Sequence, residues 1–172
     1  MTGVAKAYCT RVGNGPFPTE LHGELGSKLR EIGSEYGATT GRPRRCGWYD
    51  AVAVRFAVRV NGLEMLGITK LDVLDGITPL RVCVAYRVNG TVYTELPGDT
   101  EQFERAEPVY EEWPGWREST CGARRWQDLP ENARRYLDRL AEVSGVPLCL
   151  VSVGSERDAT VWLRDVRFGH RD

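Results

Sequence analysis

The sequence has no G-x-x-x-x-G-K-[ST] loop, no Cys-x-x-Cys pair and no apolar run of membrane-spanning length. Without the first, a nucleoside triphosphate bound here would lack the usual glycine-rich phosphate cradle within the chain. Without the second, and with Cys9, Cys46, Cys83, Cys121 and Cys149 scattered and odd in number, neither a disulfide framework nor a zinc site is indicated. Reduced thiols fit best. Without the third, no spanning helix is expected, and Met1-Thr2-Gly3-Val4-Ala5 lacks the regions of a signal peptide. The expectation is a soluble, cytoplasmic protein with no membrane partner. Histidine is scarce: His22 and His170 are far apart, neither has a nearby Cys or His, and no metal site is expected from them. An excess of one charge is also missing. The 23 Lys and Arg against 24 Asp and Glu give a net charge of -1, which disfavours non-specific nucleic-acid binding. Any anion site must be local.

What is present suffices for a core: 172 residues, 41% hydrophobic, with one domain over 1–172 as the expectation. Val4 to Tyr8 reads as a strand that begins almost at the first residue. Gly13 to Pro18 is a loop. Leu21, Leu25, Leu29 and Ile32 recur at helical spacing and fade near Gly33 to Gly37. Gly37 to Tyr49 reads as a polar loop. Val52, Val54, Phe56, Val58 and Val60 alternate as a strand would, yet Asp50 before them and Asn61-Gly62 after them favour a largely buried helix. Met65 to Thr69 is a short buried strand, and Arg81 to Val88 with Thr91 to Glu95 flank Asn89-Gly90 as a peripheral β-hairpin. Glu111 and Glu112 beside Trp113 to Trp116 read as a packed surface turn with a solvated acidic edge. Pro130, the apolar face of Ala133, Leu137, Leu140 and Ala141, and Gly145 bound a clear helix that leads into the strand Leu148 to Val151. Strands alternating with helices predict an α/β fold, with ligands at the carboxyl ends of the strands.

Three constellations could carry chemistry. Thr39-Thr40-Gly41-Arg42-Pro43-Arg44-Arg45 gathers hydroxyls and guanidiniums in one loop, suited to carboxylate or phosphate oxygens, with a solvated basic turn as the plainer alternative. Thr69-Lys70-Leu71-Asp72 resembles the guanine-reading string of GTP-binding proteins. An aspartate there can accept from guanine N1-H and the exocyclic amine, which adenine cannot offer; alone, a surface Lys/Asp pair is the commoner explanation. Ser152-Val153-Gly154, after a second buried strand, could line the other side of the base, or be only a strand-to-loop turn.

Longer strings carry a resemblance. Gly13 to Leu21, Gly37 to Trp48, Thr69 to Gly76, Glu107 to Tyr110, Pro114 to Trp116 and Leu129 to Ala133 look, in order and spacing, like adenylosuccinate synthetase, over nearly the whole chain up to about Thr160. The resemblance implies a C-terminal segment of that family, with a partial P-loop-NTPase-like, mainly parallel sheet flanked by helices and a peripheral β-hairpin. It implies GTP-dependent ligation of IMP and L-aspartate, with magnesium, in a homodimer that binds no nucleic acid. Carried over, Ala38, Thr39, Thr40, Gly41, Arg42, Pro43 and Arg44 would be the aspartate loop, with Arg42 also on the IMP ribose and Arg44 reaching toward GTP. Lys70, Leu71 and Asp72 with Ser152, Val153 and Gly154 would frame guanine. Ser155 stands where the family usually has proline, and the stretch from Val161 to Asp172 is unlike the family. The family's phosphate loop, catalytic aspartate and catalytic histidine are not matched, nor are the magnesium ligands, so no catalytic or metal residue is assigned and the chain is expected to be inactive alone. The rival expectation is a non-catalytic guanine-nucleotide-binding or regulatory module.

Overall fold

The computed structural model describes residues 1–163; the expectations for His170 and for the end of the tail lie outside the described residues. In chain order the elements are β1 (Thr2–Lys6), β2 (Cys9–Arg11), α1 (Glu24–Ile32), β3 (Arg45–Gly47), β4 (Tyr49–Asp50), α2 (Ala51–Asn61), β5 (Met65–Thr69), β6 (Leu80–Val88), β7 (Thr91–Tyr93), α3 (Thr100–Glu104), β8 (Glu107–Trp113), α4 (Glu131–Ser144), β9 (Leu148–Ser152) and β10 (Thr160–Trp162). This is the expected α/β class. One sheet runs β1-β5-β9-β10, parallel between β1 and β5 and between β5 and β9, antiparallel at β10. Leu66, Gly67 and Ile68 are buried in the middle of β5, as suits a strand covered on both faces.

The helices follow their end signals. Asp50 accepts a hydrogen bond from Ala53 N at 3.1 Å, and Gly62 closes α2 in the left-handed region at φ 59. The helix reading is therefore the one realised. The longest helix, α4, follows Pro130, ends at Gly145 with φ 77, and buries Ala133, Tyr136, Leu137 and Leu140. Leu137 and Leu140 each contribute roughly 1.5–3 kcal/mol by leaving water. Tyrosines tie the helix to the sheets: Tyr136 OH donates to Ala7 O at 2.9 Å, and Tyr49 OH lies 2.8 Å from Ser144 Oγ. Tyr8 is buried in the same main core cluster.

Four details differ from the sequence expectations. The first strand is Thr2–Lys6, so Ala7 and Tyr8 follow it as buried residues. In the next helix, Leu21 precedes α1 and Ile32 is 48% exposed, which leaves Leu25 and Leu29 as the inward stripe. The segment expected as a polar loop is polar only in its first half. Cys46, Trp48 and Tyr49 are buried, and β3 and β4 form there, because apolar residues after the arginines find partners in β2 and β6. The hairpin turns at Asn89 and Gly90, both at positive φ, and its longer strand β6 is also the spine of a second sheet. That sheet pairs β6 with β4, β7 and β8, so Glu111 and Glu112 belong to a strand. Both acids carry ion pairs, Glu112 with Arg81 and Glu111 with Arg139.

Candidate functional site

Lys6, Thr69 and Ser152 stand at the carboxyl ends of three parallel neighbours: Lys6 pairs with Thr69 in register, and Ile68 with Val151 one step earlier. This is the edge at which open α/β sheets place ligands. Above it lies a group that sequence reading missed. Glu35 has a fully buried side chain and receives Lys6 Nζ at 2.7 and 2.8 Å, Tyr8 OH at 2.6 Å and Arg44 Nη1 at 2.9 Å. Lys70 Nζ is 3.3 Å from the same carboxylate. Burial alone would raise its pKa, but the hydrogen bonds from Lys6, Tyr8 and Arg44 outweigh it and bring the carboxyl down to about 2. The Tyr8 hydroxyl is pushed up, by burial first and then by its bond to Glu35.

The arginine loop begins at this anchor. Glu35 O accepts from Arg44 N at 2.8 Å, Gly37 N donates to Arg42 O at 2.9 Å, and Gly41 N donates to Gly37 O at 2.8 Å, so the turn closes on itself. Gly41 sits at φ 62, a conformation that favours glycine. Ala38, Thr39, Thr40, Gly41, Arg42 and Pro43 are exposed, and the Thr40 hydroxyl accepts weakly from Arg42 N at 3.4 Å. The three guanidiniums diverge. Arg44 turns inward to Glu35, whereas Arg45 is scaffold, forked onto Glu20 at 2.9 and 2.5 Å and bonded to the carbonyls of Gly13 and Gly15.

The second constellation follows β5 directly. Lys70 adopts a left-handed conformation, φ 60, and opens a single turn of 3-10 helix, Leu71–Leu74. Its ammonium also donates to Gly33 O. Leu71 is buried in the core, so only its backbone can face a ligand. Asp72 is different from its neighbour Asp75, which is occupied by the Trp116 indole at 2.6 Å and Thr120 N at 2.8 Å. Asp72 Oδ1 is buried and has no hydrogen-bond partner, and its carboxyl is raised, by burial first. Such an acceptor suits a neutral double donor.

The third constellation lies beside it. Ser152 Oγ donates to Gly154 O at 3.0 Å, Val153 is buried, and Gly154 is packed against Ala159. The structure thus brings Arg44 and Lys70 onto one carboxylate and sets Ser152 at the end of the adjacent strand, while Arg42 projects into solvent and Arg45 leaves the group. A cavity of about 680 Å³ bordered by Arg124, Trp126 and Trp162 contains none of these residues. No group of three His, Cys, Asp or Glu suited to a metal ion occurs among the described residues.

Comparison with known proteins agrees in family and fold. Residues 1–161 match the family model described as adenylosuccinate synthetase. The adenylosuccinate synthetase of Acidithiobacillus ferrooxidans is 60% identical over 159 residues, 92% of this chain and 37% of that protein. That of Trichlorobacter lovleyi is 53% identical over 165 residues, 96% of this chain and 38% of the relative. A structure of fully ligated adenylosuccinate synthetase from Plasmodium falciparum superposes with a TM-score of 0.91 at 39% identity, covering 95% of this chain and 39% of that one. The chain therefore spans a little over a third of the length of the relatives it matches.

Proposed function

The chain belongs to the adenylosuccinate synthetase family, and from that premise we propose that it carries the aspartate-gripping and guanine-reading parts of an enzyme that ligates IMP and L-aspartate at the expense of GTP. In that reaction the γ-phosphoryl of GTP passes to purine O6 of IMP, and the aspartate amine then displaces the phosphate to form the new C–N bond. Ala38 to Arg44 form the loop for the aspartate carboxylates, with Thr40, Arg42 and Arg44 as its polar contacts. Guanidinium forks suit those oxygens two at a time. Arg42, exposed and unspent on scaffold, also serves the IMP ribose, and Arg44 faces the GTP side. Lys70 lays its stem along guanine, Asp72 accepts from N1-H and the exocyclic amine, and Ser152 to Gly154 close the opposite side. Leu71 and Val153 contribute through backbone, since both side chains are buried. Magnesium accompanies GTP in this reading. Among the described residues no group of three His, Cys, Asp or Glu is placed to hold it. The whole 1–172 chain acts as part of one domain, in a cytoplasmic homodimer.

The observation that carries the reading is the orphan acceptor Asp72 Oδ1 at the end of a parallel strand, beside a lysine that shares Glu35 with Arg44. Calorimetry with GDP tests it. The purified chain should bind GDP saturably and at least about tenfold more tightly than ADP, because adenine leaves the buried acceptor unpaired. Asp72→Asn should abolish the preference without lowering the melting temperature, since the amide keeps the shape of the side chain and burial already disfavours the ionised carboxyl there. Equal affinity for GDP and ADP, or no binding of either, overturns the guanine assignment.

A further inference from the structure

Glu35 lies in none of the motifs that mark the site, yet it is the point where they meet. Its carboxylate draws donors from three segments: Lys6 at the end of β1 with Tyr8 just after it, Arg44 from the loop, and Lys70 from the turn after β5. Its own backbone is fixed as well, the N–H donating to Arg30 O at 2.8 Å and the carbonyl accepting from Arg44 N at 2.8 Å. Lys6 and Tyr8 alone would satisfy a buried carboxylate, because Lys6 already reaches both oxygens. Arg44 and Lys70 are therefore additional. Their side chains keep 32% and 36% of their exposure, so each has one face on Glu35 and another turned outward.

We propose that Glu35 is a positioning residue that links the two halves of the site: it holds Arg44 and Lys70 on a single buried carboxylate, so that a ligand on the purine side steadies the loop on the other. The identities of the ligands rest on the function proposed above; the link itself rests on the distances. A core ion pair would need no such arrangement of half-exposed cations drawn from two ligand-facing segments. When a guanine nucleotide settles against Lys70, the ammonium loses freedom, the carboxylate is fixed more firmly, and Arg44 with its loop is fixed in turn. Coupling of this kind requires only that one group contact both segments.

Amide hydrogen exchange on the purified full chain, with and without GDP, tests the link. In the unmodified chain GDP should slow exchange at residues 37–42 as well as at 70–72 and 152–154. In Glu35→Gln, of the same shape but uncharged, protection of 37–42 without ligand should fall about tenfold or more, α4 should keep its rates, and GDP should protect only the purine side. Retained GDP-induced protection of 37–42 in this variant overturns the proposal, and so does an equal loss of protection throughout α4, which would mark Glu35 as core support alone. If the unmodified chain binds no GDP, the guanine assignment fails, while the ligand-free comparison still decides the link. Should Glu35→Gln not fold, Lys70→Met takes its place. Faster exchange in the distant 37–42 loop supports the link, and unchanged exchange there overturns it.

Discussion

At the scale of single residues, the charge balance around Glu35 sets how the fold responds to acid. Its carboxyl titrates near 2 when folded, against roughly 4.3 for an unperturbed glutamate. A lowered value means that the ionised form favours the folded state. The contribution is complete above the ordinary carboxylate range and disappears as pH falls from about 4 toward about 2, with a depth of about 3 kcal/mol. Urea unfolding at successive pH values should show the unmodified chain losing this increment in that window, and Glu35→Gln, less stable at neutral pH, showing a flatter profile there. None of this was legible in the sequence, where Glu35 stands between Ser34 and Tyr36 with no pattern around it. Its neighbours in space are 29 and 27 residues before it and 9 and 35 after it, and only the folded chain assembles them. Arg44, Lys70 and Asp72 were legible because each belongs to a short string whose chemistry can be read locally. The same strings did not reveal that Arg45 is scaffold, since its Glu20 and glycine-carbonyl partners come from a different loop.

At the scale of elements, α2 shows which signals prevail when two periods compete. Alternating valines argued for a strand, but alternation only describes which side chains are apolar, whereas Asp50 and Gly62 satisfy the backbone groups that a helix leaves open at its ends. Asp50 does two jobs, capping Ala53 N and accepting from the Tyr86 hydroxyl. Burial raises its carboxyl, so it is held in place by these bonds rather than by water. Asp50→Ala should therefore cost more than a surface cap, about 2–4 kcal/mol, by losing the cap and stranding Tyr86 OH. Tyr86→Phe should cost less, about 1.5–2 kcal/mol, as it takes a donor from Asp50 Oδ2 but leaves the cap intact. Chemical denaturation of both variants measures the difference, and equal losses would refute the double role. Strand β8 was illegible for the opposite reason: Glu107–Trp113 contains a proline and three glutamates, poor strand formers, and pairs only because β6 offers a long partner edge. Ion pairs from Arg81 and Arg139 then settle Glu112 and Glu111.

At the scale of the whole molecule, the alternation of strands and helices was enough to read the α/β class and the parallel core of the first sheet. What it did not reveal was the second sheet, which depends on pairings between distant segments. The first sheet also has an end: β1 pairs only with β5 among the described residues, and Val4 on it is 71% exposed. Unpaired backbone flanked by apolar side chains invites edge-to-edge association. The purified chain should sediment as a concentration-dependent mixture, and Val4→Lys should move it toward monomer while shifting stability by no more than about 0.5 kcal/mol. A monomer at all concentrations would show that this edge is protected. The ring of Tyr8 lies in the main core while its hydroxyl is bonded to Glu35. The candidate site should therefore show no melting transition of its own, because opening it exposes core around Tyr8. A molecule that binds only the native face should then delay the cooperative collapse of the entire chain by mass action.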